Sequence, residues 1–565
     1  MKKLFLISLL VCVGILQSLA FDYTDERGVT WSCSEAYNSD THYTSAQINS
    51  ASGYGDEVVI PEKVYDGTKE YTVTKIAFTF NDNKTLEKVT WPSTVTEIPY
   101  YMFHCCSSLK TVENVREVTL IDGYAFYGCN NLIELDLGTC KIDYFAFNSC
   151  LKLQSIGKSA KCTYIGNQAF SACWSITEVD LSTCKNLGTH AFSGCSSLQT
   201  VGNPKLTSIP ERAFYGCSSL KNIDLSMCTS VASEAFSGCS KLQNVNISNC
   251  TYIGNSAFNG CSSITEVDLS ACKILGTSAF SQCSKLENVI GLEKFISIPN
   301  FAFRFTALKS VTLPKVESLG NQAFWNTSIS KVILPATLKS MGYQCFNNVK
   351  EYTFNGTQPA VLAQGNGSPA FSGAPFIIRV PESAIDAYKA ADIWKNYTDK
   401  IFSISDQLDY DVTTTAMDNQ SGLEQAIGAT NMKKVVSLKA TGTINGYDIF
   451  MIRTKMTNLQ NLDLTDADIV ANGFAYYNSY STEENVVGSY SFYKLDNLVT
   501  LKLPKNAVTI GSYAVTNCSS LESVDFPKNL KDIDTYSFYE CSKLDNVILP
   551  EGLESIGYSS FRGCI

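Results

Sequence analysis

Ala213-Phe214-Tyr215-Gly216-Cys217-Ser218-Ser219-Leu220, Ala235-Phe236-Ser237-Gly238-Cys239-Ser240-Lys241-Leu242 and Ala257-Phe258-Asn259-Gly260-Cys261-Ser262-Ser263-Ile264 are copies of one phrase, 22 residues apart. Its phenylalanine recurs as Phe103, Phe126, Phe147, Phe170, Phe192, Phe214, Phe236, Phe258, Phe280, Phe303, Phe324 and Phe346, at intervals of 21 to 23 residues. A period of that size, held over so many copies, is the signature of a solenoid, whose units bury their apolar edges only against their neighbours.

Within a copy, Leu220-Lys221-Asn222-Ile223-Asp224-Leu225 fits the L-x-x-L-x-L strand of a leucine-rich repeat. Strand alternation sends Ile223 and Leu225 inward and Asn222, Asp224 and Ser226 outward. An Ile-Gly pair such as Ile253-Gly254 then turns the chain back, and Ala257-Phe258 inserts its ring into the next layer. The expected fold is a β-rich (α/β) solenoid, a leucine-rich repeat array of about 22–23 residues per coil. Two arrays are expected, separated by a helix-containing cap.

The non-repetitive segment 21–76 is expected to cap the first coil. Its runs Val58-Val59-Ile60 and Tyr71-Thr72-Val73 around Asp66-Gly67 read as a hairpin. The first array spans 77–373, with a Gly365-Asn366-Gly367-Ser368 loop near its end. Its C-terminal cap, 374–408, is a strand, Phe376 to Val380, followed by an amphipathic helix, Pro381 to Lys400, with Ile385, Tyr388, Trp394 and Tyr397 on the apolar side. A second, degenerate array, 409–565, stops mid-repeat at Phe561-Arg562-Gly563-Cys564-Ile565, so a longer natural product is expected.

Residues 1–20 read as a secretory leader: Met1-Lys2-Lys3 is the basic start, Leu4 to Leu16 the mostly apolar run, and cleavage follows Ala20. Leu9-Leu10-Val11 places a bulky residue ahead of Cys12 and argues against a lipoprotein. No later stretch has the ~18 apolar residues of a membrane helix. The net charge, −10, or −12 without Lys2 and Lys3, argues against nucleic acid as a partner.

Twenty-two cysteines in an exported chain would ordinarily mean disulfides. Their phase argues otherwise. Cys106, Cys129, Cys150, Cys173, Cys195, Cys217, Cys239, Cys261 and Cys283 follow the phenylalanines by three residues, and Thr306 and Thr327 take over in the next two copies. Cys140, Cys162, Cys184, Cys228, Cys250 and Cys272 form a second column. Equal-phase residues stack about 4.8 Å apart with parallel Cβ vectors, which do not converge on a bridge. Both columns read as buried thiols acting as small apolar groups.

The combination of A-F-x-G-C-S-S-L, L-x-x-V-x-L-P and the Ile-Gly turn resembles the BspA-like leucine-rich repeat proteins of bacterial surfaces, from about Val58 onward. Val380-Pro381-Glu382-Ser383 with Ala387-Tyr388-Lys389-Ala390 and Trp394, Thr441-Gly442-Thr443-Ile444-Asn445-Gly446, and Leu462-Asp463-Leu464-Thr465-Asp466-Ala467 resemble Bacteroides-type members. The resemblance implies an exported, surface-associated protein, in some members an adhesin for host matrix proteins. It carries no catalytic motif and no fixed binding residues.

Catalytic chemistry finds little purchase. His42, His104 and His190 share no motif and read as surface or loop residues. Gly157-Lys158-Ser159 lacks the opening glycine of a phosphate loop, Lys152 standing there instead. Cys105-Cys106 reads as one column member with a chance neighbour. No metal or cofactor is expected, and no dedicated calcium loop is present.

The patterned polar feature is the outward strand positions Glu134 and Asp136, Glu178 and Asp180, Asn222 and Asp224, Asn244 and Asn246, and Glu266 and Asp268, interrupted at Gly157 and Gly202. They read either as ordinary polar residues at exposed strand positions, where Asn and Asp tolerate stacking, or as a carboxylate and amide strip that would steer a basic or hydrogen-bonding partner. The leading expectation is a non-enzymatic surface protein binding an extracellular protein, of host or matrix origin. A glycan or envelope component is the alternative, to be favoured by exposed aromatics in line, of which Tyr476, Tyr477 and Tyr480 are the one loose cluster. A third possibility is the repeat scaffold of a secreted hydrolase whose catalytic domain lies beyond this sequence.

Overall fold

The computed structural model describes residues 20–37, 44–157, 160–202, 204–363, 371–373 and 375–564. The leader up to Leu19 with Cys12, and also His42, Lys158, Ser159 and the Gly365 to Ser368 loop, lie outside the described residues. The protein is a leucine-rich repeat solenoid of short parallel strands with little helix. It divides into two units: Met1–Val311 with Ser318–Ser328 and Gly342–Cys345, and Thr312–Glu317 with Ile329–Met341 and Phe346–Ile565.

The first unit opens with β1 (Ala20–Thr24), β2 (Thr30–Tyr37), β3 (Thr44–Ser52), β4 (Glu57–Val59), β5 (Lys63–Tyr65) and β6 (Glu70–Ile76). One sheet takes the order β1-β2-β3-β6-β5. The hairpin over Asp66-Gly67 is present, but its first arm is β5, not Val58-Val59-Ile60. Val58 is buried in β4, which pairs in parallel with Lys88–Thr90 as the start of the strand column. Ile60 N–H still donates to the Thr90 carbonyl at 3.1 Å, and Pro61 after it has no N–H to extend the strand.

Each coil has three sides. Glu178–Asp180, Thr200–Gly202, Asn222–Ile223 and Asn244–Val245 form one parallel ladder. Ser208–Ile209, Ser230–Val231, Tyr252–Ile253 and Ile274–Leu275 form a second, where the sequence pattern predicts only a turn. A two-residue strand is too short to display alternation.

The third side is the Ala-Phe corner. The N–H groups of Phe214, Phe236 and Phe258 donate to the carbonyls of Ala235, Ala257 and Ala279 at 2.9, 2.8 and 2.9 Å. Their rings stack, Phe258 lying 5.3 Å from both Phe236 and Phe280 at 7° and 3°. Left-handed residues flank each corner: Glu234 (φ 54°) and Ser256 (φ 53°) two positions before the ring, Gly238 (φ 79°) and Gly260 (φ 75°) two after. Glycine adopts this backbone without strain, which accounts for the G of A-F-x-G-C.

All 21 described cysteines are free thiols. The first column does more than fill space. Cys217, Cys239 and Cys261 donate S–H to the carbonyls of Phe192, Phe214 and Phe236 at 3.2, 3.1 and 3.1 Å, one coil back. Thr306 and Thr327 satisfy their hydroxyls differently, on Phe303 and Phe324 of their own coil at 2.8 and 3.0 Å. Burial pushes the Cys106 and Cys283 thiols up to about 12.

In the second unit, Lys331–Leu334, Glu351–Phe354, Ile377–Val380 and Ile401–Ser403 form a parallel sheet. The single helix expected from Pro381 to Lys400 is broken. An α-helix covers Ile385–Ala390, Ala391 is extended (ψ 151°), and a 3-10 segment covers Trp394–Lys400. The break lets two aromatics anchor separately. The Tyr388 hydroxyl donates to the Gly356 carbonyl at 3.1 Å and Trp394 Nε1 to the Ala360 carbonyl at 2.8 Å.

Helices Gly422–Ile427 and Gly446–Lys455 follow, alternating with Asp409–Thr414, Ser437–Ile444 and Asn461–Asp463 of another parallel sheet. The sequence pattern assigns this stretch to the second array, 409–565. Fully buried Asp448 ties the helix starts together, accepting from the Ser421 hydroxyl, Leu423 N–H and Asn445 N–H at 2.6, 2.9 and 3.0 Å. The repeat then resumes, Phe538 and Phe561 stacking at 5.1 Å and 1°.

Phe258→Ala should cost about 3–5 kcal/mol by opening a cavity between two rings, read as a lower midpoint in denaturant unfolding. Among the described cysteines, native protein should react rapidly with a thiol reagent only at Cys105 and Cys564, the two that are not fully buried. Mass-spectrometric mapping of the labelled sites checks this.

Candidate functional site

The strand face is positioned by register. Glu178 pairs with Thr200, Thr200 with Asn222, Asn222 with Asn244, and Glu266 with Asn288. Single bridges join Thr111 to Glu134 and Glu134 to Ser155. Besides the interruptions at Gly157 and Gly202, the carboxylates are interspersed with neutral residues: no glutamate has another glutamate as its partner in these pairs. That spacing relieves repulsion between equal-phase carboxylates. Glu134, Asp136, Glu178, Asp180, Asn222, Asp224, Asn244, Asn246 and Glu266 are exposed, and Asp268 is half-buried.

The aspartates have a structural task that spacing alone did not reveal. Asp180, Asp224 and Asp268 each accept, through Oδ1, the N–H of the serine two residues on, at 2.8, 2.9 and 2.8 Å. Asn246 accepts the Ser248 hydroxyl at 2.9 Å. These are Asx turns that lead the chain off the strand face. The Ser226 N–H holds the Asp224 carboxyl below the usual range, and the Ser270 hydroxyl does the same for Asp268. The glutamates differ. Among the described residues, the side chains of Glu134, Glu178 and Glu266 have no hydrogen-bond or ion-pair partner.

The glycine interruptions shape this face. One depression of about 520 Å³ is lined by Ser155, Gly157, Glu178, Asp180, Thr200 and Gly202. Another of about 690 Å³ includes Glu113, Arg116, Glu134 and Asp136. A Cβ on Gly202 would lie 2.7 Å from Asp180 Oδ1, and Gly157 sits at φ 103°.

The turn face carries aromatic side chains that the sequence pattern missed. In the first unit, Tyr101 stacks on Tyr124 at 5.1 Å and Tyr124 on Phe145 at 4.8 Å. In the second, Tyr490, Tyr513 and Tyr536 stack at 5.0 and 5.1 Å, with Tyr477 and Tyr480 beside Tyr490. Tyr477 and Tyr480 are thus part of a larger surface, while Tyr476 is buried and donates to the Ser489 carbonyl at 2.8 Å. The signal was present in sequence as tyrosine at the same left-handed phase, two before each ring position.

His190 occupies that phase as a half-buried turn residue (φ 57°). His104 is different: one of its ring nitrogens lies within 4.8 Å of both the Cys105 sulfur and an Asp82 carboxylate oxygen. Among the described residues, no helix is long and apolar enough to cross a membrane.

The profile of the BspA type leucine-rich repeat region, 6 copies, matches residues 74–199, 163–287, 273–359 and 455–565, more than half of the chain. The chain belongs to this family. No curated protein matches it. It is similar to a solved leucine-rich repeat protein from Bacteroides ovatus, 18% identical over 94% of this chain and 91% of that one, with a TM-score of 0.27. A leucine rich cell surface protein from Faecalibacterium prausnitzii is 16% identical over 95% of each chain, TM-score 0.23. The pneumococcal vaccine antigen PcpA is 15% identical over 69% of this chain and 98% of its own, TM-score 0.36.

Asp224→Asn should keep the turn and its stability. Asp224→Lys should lose about 1 kcal/mol with the hydrogen bond, in equilibrium unfolding at pH 7. Because the folded carboxyl is depressed, its contribution is present above the ordinary value of about 3.9 and is lost as pH falls below it. Asp224→Asn should remove that increment of acid sensitivity.

Proposed function

We propose that this BspA-type protein is a non-enzymatic binding protein displayed outside the cell, holding an extracellular protein of host or matrix origin along the strand face of its first unit. The observation that carries the reading is the contrast within that face. Asp180, Asp224 and Asp268 are occupied in turns, while the side chains of Glu134, Asp136, Glu178 and Glu266 remain exposed and unpaired among the described residues, with depressions at Gly157 and Gly202 beside the first three. Unpaired carboxylates beside shallow relief suit a basic, hydrogen-bonding protein surface, to which they add steering as well as contact. Export and surface display are supported by the leader-like Met1 to Ala20 and by the family's resemblance to bacterial surface proteins.

A second reading has its own observation. The tyrosine surface of the second unit, with exposed Tyr480 and Tyr558 around the stacked Tyr490, Tyr513 and Tyr536, is the aromatic alignment that favours a glycan. The stacked rings occupy one another's faces, so a sugar would meet ring edges and hydroxyls there rather than open platforms.

The mature chain should be tested against immobilised matrix proteins and a glycan array. The triple variant Glu134→Lys, Glu178→Lys and Glu266→Lys leaves every Asx turn intact. It should weaken protein binding by about tenfold or more and flatten its salt dependence. Unchanged affinity would remove the strand face from consideration. Binding lost instead in Tyr490→Ala with Tyr513→Ala would favour the glycan surface.

A further inference from the structure

The solenoid brings Asp82, His104 and Cys105 together on the turn face of the first unit. One ligand atom from each, a carboxylate oxygen, an imidazole nitrogen and the thiol sulfur, lies within 4.8 Å of the other two. His104 Nε2 is 3.9 Å from Cys105 Sγ. The backbone fixes this convergence. Asp82 and Cys105 each stand two residues after a ring position, Phe80 and Phe103, and both are left-handed, at φ 60° and 56°. They therefore occupy one phase in successive coils, and the Asp82 N–H donates to the His104 carbonyl at 2.7 Å.

The surroundings hold the donors in place and leave room for a ligand. The His104 ring lies between Tyr101, at 4.5 Å, and Tyr127, stacked at 5.2 Å and 11°. Its Nδ1 is buried and has no hydrogen-bond partner among the described residues, and its Nε2 has only the Cys105 thiol at 3.9 Å. The next residue in the Asp82–Cys105 phase is Gly128, where an added Cβ would stand 3.3 Å from Cys105 Sγ. Cys105 is also set apart chemically: it is one of two described thiols that are not fully buried.

We propose that Asp82, His104 and Cys105 form a Zn²⁺ site. One thiolate, one imidazole and one carboxylate suit a borderline divalent metal of the zinc class, whereas calcium and magnesium call for oxygen donors throughout. Three protein ligands leave a tetrahedral metal one position for water or for a partner's side chain. Binding replaces the thiol proton, which leaves to solvent, and no electron is transferred. Lys84 Nζ, 3.6 Å from Asp82 Oδ1, competes for the carboxylate. Both side chains of that pair are more than half exposed, and such pairs yield to a dication.

The test uses the reduced, metal-stripped full chain, titrated first with Co²⁺ as an optical probe and then with Zn²⁺ by calorimetry. The repeat supplies substitutions it already tolerates: serine stands at the Cys105 phase as Ser149, serine at the His104 phase as Ser171, and asparagine at the Asp82 phase as Asn326. The expected result is one equivalent of Co²⁺ with a thiolate-to-metal charge-transfer band, displaced by Zn²⁺. Cys105→Ser should abolish the band, His104→Ser and Asp82→Asn should each weaken binding by about tenfold or more, and Cys564→Ser should change nothing. Absence of the band in the parent chain, or its persistence in Cys105→Ser, would overturn the proposal.

Discussion

The hydrogen bond from each ring-bearing phenylalanine to the alanine carbonyl one coil on is the constraint from which the repeat geometry follows. It recurs from Phe103 with Ala125 to Phe303 with Ala323, at 2.7 to 2.9 Å. It sets the separation at which the rings stack and the two strand ladders stay in register. A one-residue slip would move the ring, the thiol and the left-handed corner out of phase together. Cooperation between polar rung and apolar stack explains why the spacing strays by only a residue from 22 while the outward positions vary freely.

Phase was legible in the sequence because buried positions repeat their chemistry. The phenylalanine and cysteine columns, the inward Ile223 and Leu225 and the outward Asn222 and Asp224 all lie where alternation places them. Interactions within one coil that leave no periodic trace were not legible. The second ladder is too short to alternate, and the helix Gly446–Lys455 interrupts the repeat without a strong apolar stripe. Asp224 and Glu178 look alike as letters, yet one closes a turn and the other has no partner. Only the serine two positions after Asp180, Asp224 and Asp268 marks the difference.

Convergence between coils is harder still to read. Asp82 and His104 are 22 residues apart and share no motif. They meet because the left-handed corner, filled by glycine in Gly194, Gly216, Gly238 and Gly260, accepts a side chain in Asp82 and Cys105. Such a corner carries some backbone strain in any residue other than glycine. The rung hydrogen bonds on either side hold it regardless, which frees this face for side chains chosen for their chemistry. Tyr101, Tyr124, Arg212 and Glu234 occupy the companion corner in the same way, the last two as an ion pair at 2.8 Å.

The thiol columns set a race that the finished fold conceals. In the native coil each Sγ of the first column donates to a carbonyl and both columns are shut away from oxidants, but in the nascent chain the same sulfurs are exposed at regular intervals. Disulfide formation takes seconds to hours, whereas closure of short loops and hydrophobic collapse are faster by orders of magnitude. Contacts between coils span only about 22 residues, so each thiol can be enclosed as soon as its neighbouring coil arrives. Early closure, coil by coil, would let this chain keep its cysteines reduced in surroundings that oxidise slower-folding proteins.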